Sequence, residues 1–165
     1  MQTQLDTFAE YHLVSLRRSL CAKLKIAKVN GSAVETRPGI VCVDAIGGGG
    51  LKFVTDLKLP TIPTVEYSIE MTLANRTLFL PAYLFHKEEF RSGLHEYSAR
   101  FVCEESIRSF IISVANRLEL KRYYDVTLKN CSGCPKSAKH ECPTKSLRES
   151  KRANVVSISS ASMRR

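Results

Sequence analysis

The segment IVCVDAIGGGGLKFVT, residues 40–55, carries the clearest structural signal in the chain. It contains two short apolar runs, 40–44 and 51–55, and each has the length and composition of a buried strand. Four consecutive glycines, 47–50, stand between them. Because glycine has no Cβ, such a run indicates a backbone that bends sharply or approaches another group closely. The segment therefore predicts two strands joined by a tight connection.

Strand signals continue on both sides of this segment. On the N-terminal side, residues 22–26 alternate between apolar side chains and lysine, and Asn30-Gly31 then supplies a hairpin-type turn. On the C-terminal side, a second hairpin is predicted from 65–73 and 77–86, and a further strand from 97–101. Six or so short strands at close spacing predict a mainly β fold, a small antiparallel barrel or sandwich.

Two helices and one loop complete the predicted elements. Apolar residues at helical spacing within 5–16 predict an N-terminal helix. The polar stretch 87–93 predicts a loop. A second amphipathic pattern, with Glu104 and Glu105 in its first turn, predicts a helix that closes the domain near Leu120. The apolar face of that helix consists of Ile107, Phe110, Ile111, Val114 and Leu118.

Charge divides the chain into a nearly neutral part and a basic end. The net charge is +9 over 165 residues, but residues 120–165 alone contain 11 Lys/Arg and 3 Asp/Glu. No apolar run approaches the roughly 20 residues of a membrane span, and the first residues do not resemble a secretion signal. We therefore expect a cytoplasmic protein with reduced thiols, in which Cys21, Cys42 and Cys103 are small buried apolar residues.

The order of these elements resembles the PilZ domain, a small six-stranded antiparallel barrel known chiefly as a receptor for cyclic di-GMP (c-di-GMP). The resemblance covers about residues 12–120. It implies three regions: an N-terminal helix and Arg-containing segment at 1–20, a PilZ-like barrel with its closing helix at 21–120, and a Cys-rich basic tail at 121–165.

Two short motifs carry the ligand contacts of that family. The first is Arg-x-x-x-Arg before the first strand, and the chain has the adjacent pair Arg17-Arg18 there. The second is Asp/Asn-x-Ser-x-x-Gly, and the chain has Asp44 followed by the glycine run, without the serine. The resemblance implies that c-di-GMP is bound by a set of six residues. They are Arg17, Arg18, Asp44, Gly47, Gly49 and Gly50.

Each of these residues also has a purely structural interpretation. Arg17 and Arg18 are compatible with the solvated end of a helix, and Asp44 with the polar end of a strand. The glycines are compatible with ordinary turn chemistry. If the arginines do bind ligand, His12 and Lys23 are candidates to replace the missing partner arginine.

The basic tail contains a separate pattern, Cys-x2-Cys-x5-His-x-Cys. Its residues are Cys131, Cys134, His140 and Cys142. Three thiolates and one imidazole can complete a tetrahedral zinc site, and the Cys-Pro steps are also compatible with an iron–sulfur cluster. The pattern predicts a metal site, with zinc favoured, and a redox or incidental thiol cluster is the alternative.

Two functions remain open from the sequence, and neither is enzymatic because no catalytic set is recognisable. One is a c-di-GMP receptor or adaptor, or a degenerate PilZ adaptor that acts through protein contacts, with a downstream protein partner. Its process would be bacterial motility, biofilm formation or exopolysaccharide export. The other is a nucleic-acid-binding module that uses the basic tail, which predicts retention on DNA or RNA that falls steeply with salt.

Overall fold

The long first strand organises the architecture. A computed structural model describes residues 12–89 and 93–124, with backbone only at 17–19 and 121–124. Within these residues the chain forms seven strands and one helix. They are β1 (Val14–Val29), β2 (Ser32–Ala33), β3 (Gly39–Ile46), β4 (Gly50–Thr55), β5 (Val65–Leu73), β6 (Arg76–Glu89), β7 (His95–Phe101) and α1 (Glu105–Tyr124).

The strands form a closed antiparallel barrel. Their order is β2-β1-β3-β4-β7-β6-β5, and β1 also pairs with β5. The 16-residue β1 closes the barrel because its N-terminal part pairs with β3 and its C-terminal part with β5. The two-residue β2 only extends the hairpin after β1. The six-stranded barrel predicted from the sequence is confirmed.

Both predicted hairpins have tight turns with two successive residues at positive φ, and only Asn30-Gly31 shows the sequence signal for such a turn. Asn30 and Gly31 have φ of 50° and 78°, and Ala74 and Asn75 have φ of 44° and 72°. Two successive residues with positive φ are typical of the tight turns that match the twist of antiparallel strands.

Alternating apolar residues fill the barrel. Two buried tyrosines form hydrogen bonds with the loop between β4 and β5. Every second residue of β5 is buried, from Val65 to Leu73. The Tyr97 hydroxyl accepts a hydrogen bond from the Leu59 amide at 2.8 Å, and the Tyr67 hydroxyl donates to the Pro60 carbonyl at 2.8 Å. Burial raises the pKa of Tyr67, which keeps this hydroxyl a donor.

Helix α1 packs against one end of the barrel through the apolar face that its sequence predicts. Ile111, Val114 and Ala115 are buried in the core cluster, and Phe110 packs at its margin. The Arg76 guanidinium lies 5.0 Å above the centre of the Phe110 ring, which ties the β5–β6 hairpin to the helix. The helix continues to Tyr124, past the predicted end near Leu120.

Two local predictions are wrong in part. Residues 14–16 belong to β1 and not to an N-terminal helix, because Val14 and Ser15 pair with Ile46 and Ala45 of β3. This pairing satisfies the backbone hydrogen-bonding groups of these residues, and the spacing of apolar residues in the sequence does not show it. Residues 87–89 extend β6 opposite β7 instead of starting a loop. The remaining parts, 5–11 and 90–92, lie outside the described residues.

The docking of α1 is testable through its most buried side chain. We expect Ile111→Ala to lower the free energy of unfolding by about 2–5 kcal/mol, because it leaves a cavity under a fully buried position. Urea denaturation measures the change. The control Ser113→Ala, on the exposed side of the same helix, should change it by less than about 0.5 kcal/mol. Equal effects of the two variants would contradict the docking.

An ion pair across the β1–β5 seam gives the barrel a pH dependence. Lys28 Nζ lies 3.1 Å from Glu66 Oε1, and the Tyr83 hydroxyl donates to Glu66 Oε2 at 2.9 Å. The hydrogen bond from Lys28 holds the pKa of Glu66 below its ordinary value of 4.5. The folded state therefore prefers the ionised carboxylate, and this contribution is present above pH 4.5 and lost as the pH falls through the lowered pKa.

We expect the stability difference between the wild type and Glu66→Gln to be constant near neutral pH and to shrink below about pH 4.5. Urea denaturation at a series of pH values between about 7 and 3 measures it. If the stability difference stays constant over the whole pH series, the stability of the β1–β5 seam does not depend on the Glu66 carboxylate.

Candidate functional site

A register shift at Asp44 sets the geometry of the outer barrel surface. Val43 pairs with Phe53 of β4, whereas Ala45 pairs with Lys52, so Asp44 is an extra residue relative to β4. Such a bulge bends the strand and changes the direction of the side chains that follow. As a result Ala45 shares the outer face with Lys52, although Val43 two residues earlier faces the core.

A larger irregularity in β1 lies opposite Asp44. Ser15 pairs with Ala45 and Leu20 with Val43, so β1 has four residues where β3 has only one. Those four are residues 16–19, which include Arg17 and Arg18. We call residues 16–19 together with Asp44 the double bulge. The double bulge brings the backbone of the arginine motif close to Asp44 of the Asp-Gly motif, as the resemblance implies. The side chains at 17–19 lie outside the described part.

The glycine turn is packed against its own chain. A Cβ on Gly47 would lie 2.3 Å from the His12 carbonyl oxygen, and one on Gly48 would lie 2.6 Å from Ile112 Cγ1 of α1. The cavity at this junction is about 160 Å³, below the roughly 300–1,000 Å³ of small-molecule pockets. The absence of side chains at 47 and 48 is thus explained by internal packing, without a bound phosphate.

The other two glycines connect the turn to neighbouring strands. The Gly47 amide donates to the Gly50 carbonyl at 2.9 Å, and the Phe101 amide donates to the Gly49 carbonyl at 2.9 Å. Gly50 begins β4 and pairs with Arg100 of β7. These two glycines therefore lie on the side of the turn next to the outer sheet surface, and their role in ligand binding stays a prediction.

The two residues considered as substitutes for a missing arginine have other partners. His12 Nε2 lies 3.6 Å from Glu119 Oε1 of α1, and Lys23 Nζ lies 3.3 Å from Glu70 Oε1 of β5. Glu70 is on the side of β1 away from Asp44, because β5 and β3 flank β1 on opposite sides. In this structure Lys23 therefore pairs on the side of β1 away from the double bulge.

Three further residues form a group that no sequence motif marks, and we call them the outer cluster. They are Lys52, Arg100 and Phe85. Lys52 and Arg100 face outward on β4 and β7, and the Arg100 guanidinium lies 6.0 Å from the centre of the Phe85 ring. The alternation of apolar and charged residues in 51–53 and 99–101 was the available signal. This alternation shows which side chains face outward. It does not show that β4 and β7 are neighbours in the sheet.

Metal binding and membrane insertion find no support in the described part of the chain. Residues 12–89 and 93–124 contain no cluster of three or more His, Cys, Asp or Glu side chains suited to a metal ion. The candidates Cys131, Cys134, His140 and Cys142 lie outside these residues, so that site stays a prediction. Helix α1 is too polar to span a bilayer.

Comparison with solved structures supports the barrel assignment. The fold matches the inhibitor of motility MotI/DgrA of Bacillus subtilis with a TM-score of 0.50, over 67% of this chain and 52% of that one, at 11% identity. It matches Escherichia coli YcgR, crystallised with c-di-GMP, with a TM-score of 0.52, over 70% and 47%, at 11% identity. The YcgR PilZ domain with c-di-GMP gives 0.48, over 71% and 97%, at 12% identity. The fold is PilZ-like.

The likeness is structural and covers part of the longer proteins. The PilZ-like chain spans about half the length of MotI/DgrA and of YcgR. No protein-family model matches the sequence, and no curated protein matches it either. At 11% sequence identity, the comparison establishes the fold alone. The ligand has to be inferred from the residues of this chain's own site.

The packing of the glycine turn predicts unequal costs for two similar substitutions. Gly47→Ala should lower the free energy of unfolding by about 1–3 kcal/mol, because the new methyl group meets a backbone carbonyl. Gly48→Ala should cost less, because Ile112 is a partly exposed side chain that can change rotamer. Urea denaturation of both variants measures the difference. The opposite order would contradict the described contact with His12.

Proposed function

We propose that this protein is a c-di-GMP receptor or adaptor that binds its ligand on the outer barrel surface at the double bulge. The observation that supports the proposal is the register of β1 and β3, in which the backbone of residues 16–19 lies opposite Asp44. The likeness to YcgR, crystallised with c-di-GMP, supports this choice of ligand.

The residue types at the double bulge fit the chemistry of the ligand. A cyclic dinucleotide carries two phosphates and two guanines, and a guanidinium group can form paired hydrogen bonds to either or stack on a base. A carboxylate can accept hydrogen bonds from the N–H groups of guanine. Arg17, Arg18 and Asp44 therefore offer complementary groups to the phosphates and to the base edge.

The departures from the family motifs predict weakened affinity. The chain has adjacent arginines where the family has two spaced by four residues, and it has no serine after Asp44. Each charged hydrogen bond contributes about 1.5–3 kcal/mol, so the loss of one such bond and a weaker hydroxyl contact reduces affinity roughly 100-fold. We expect binding in the micromolar range.

Signal transfer follows from the position of the bulge in β1. Regular pairing with β3 stops at Ser15 and resumes at Leu20, and ligand contacts would fix the conformation of the residues between them. That change would alter the surface offered to a downstream protein, and this output requires no catalytic step. Motility is a candidate process because MotI/DgrA is an inhibitor of motility, and biofilm formation or exopolysaccharide export are the others implied by the resemblance. The proposed role is cytoplasmic.

Calorimetric titration with c-di-GMP tests the proposal. The wild type should bind, and Arg17→Ala/Arg18→Ala should bind about 100-fold more weakly or not at all, because both guanidinium groups are lost. Arg37→Ala is the matched control, since Arg37 is an exposed arginine between β2 and β3 and should leave affinity unchanged. Circular dichroism checks that each variant is folded.

Two outcomes would contradict the proposal. No heat of binding at tens of micromolar wild-type protein and ligand would exclude the receptor function and leave a protein-docking adaptor. Equal affinity of the wild type and the double-arginine variant would show that c-di-GMP binds elsewhere.

A further inference from the structure

The outer cluster lies beside the double bulge on the same barrel face. Ala45 follows Asp44 directly and pairs with Lys52 of β4, and Lys52 in turn pairs with Ser98 of β7. Arg100 is two residues beyond Ser98, so it shares the outward face with Lys52. Adjacent strands are about 4.8 Å apart, which places Lys52 one strand and Arg100 two strands away from β3.

Small residues separate the two groups. Ala45, Gly50 and Ser98 are the outward-facing residues between the double bulge and the two cations, and all three are buried. The inward-facing neighbours of the cations, such as Leu51 and Ala99, belong to the core. These three small residues lie below the accessible surface, and the longer side chains of Lys52 and Arg100 reach it.

A third register shift places an aromatic ring at this face. Leu84 pairs with Ala99 and His86 with Ser98, so Phe85 is an extra residue in β6. Its side chain is 37% exposed, and the Arg100 guanidinium lies over its ring. A guanidinium held on an aromatic ring is a positioned planar surface on which a base can stack.

The charges of the face are mixed, and Lys52 has an ion-pair partner that a ligand would have to displace. Lys52 Nζ lies 3.7 Å from Glu96 Oε1, and the Lys52 side chain is 43% exposed. An exposed pair at this distance contributes little to stability, so a phosphate can replace the carboxylate at small cost. The displaced Glu96 carboxylate is then an acceptor for guanine N–H groups.

The geometry points to Lys52 and Arg100 as additional ligand-binding residues, an inference that rests on the proposed function. Lys52 binds a phosphate of the cyclic purine dinucleotide, and Arg100, held by Phe85, stacks on or hydrogen-bonds a guanine. The PilZ motif has two arginines spaced by four residues, whereas Arg17 and Arg18 are adjacent. The outer cluster on β4 and β7 supplies the second cationic contact that the wider spacing would provide. The ligand then spans β1, β3, β4 and β7.

Calorimetric titration of c-di-GMP into single variants tests this assignment. Lys52→Gln and Arg100→Gln should each weaken binding about tenfold or more, since each removes one charged contact. Phe85→Leu should weaken it about fivefold or more, since it removes the ring under Arg100. Lys25→Gln and Arg37→Gln are matched controls at exposed positions away from this face and should stay within about twofold of the wild type.

The outcomes separate the inference from the proposed function. If the wild type binds, the double-arginine variant does not, and the Lys52 and Arg100 variants bind like the wild type, the inference is wrong and the receptor function stands. If the wild type does not bind, both are wrong. Arg100→Lys keeps the charge but loses the planar group, so it should also bind more weakly, and it replaces Arg100→Gln if that variant does not fold.

Discussion

The interruption of regular pairing between β1 and β3 is the constraint on which the candidate site depends. A barrel of regular strands would alternate inward and outward side chains without a break. Here one extra residue at Asp44 and four residues of β1 opposite it displace that alternation. The cost is lost ladder hydrogen bonds, and the result is that the backbone of residues 16–19 lies opposite Asp44.

Three register shifts meet on one side of the barrel. The double bulge and the extra residue Phe85 surround the outward-facing Lys52 and Arg100, while β5 continues in regular register with β6 on the other side. The core alternation of β5 explains the stability of the regular side. The irregular side has the features expected of a surface shaped for a ligand, because bulges are frequent beside binding sites.

Much of the fold was predictable because local patterns and global packing agree. The predicted strands at 51–55, 65–73 and 97–101 lie within β4, β5 and β7. On the predicted apolar face of α1, Ile111 and Val114 are buried and the other three residues are partly buried. The beginning of β1 was not predictable, because residues 14–16 satisfy helical spacing equally well and only pairing with β3 decides between the two. The outer cluster was hidden for a similar reason, since β4 and β7 are neighbours in space but 40 residues apart in sequence. Gly47 illustrates a third case, because internal packing explains the glycine there and its predicted role in ligand binding stays a prediction.

The most direct measurement of the central claim is an amide chemical-shift map of the full chain during titration with c-di-GMP. The account predicts that the largest changes fall on residues 15–20 and 43–50, with further changes at 52 and 98–100, and that the hairpins at 30–31 and 74–75 remain unaffected. Changes confined to those hairpins or to α1, with none at the double bulge, would contradict it.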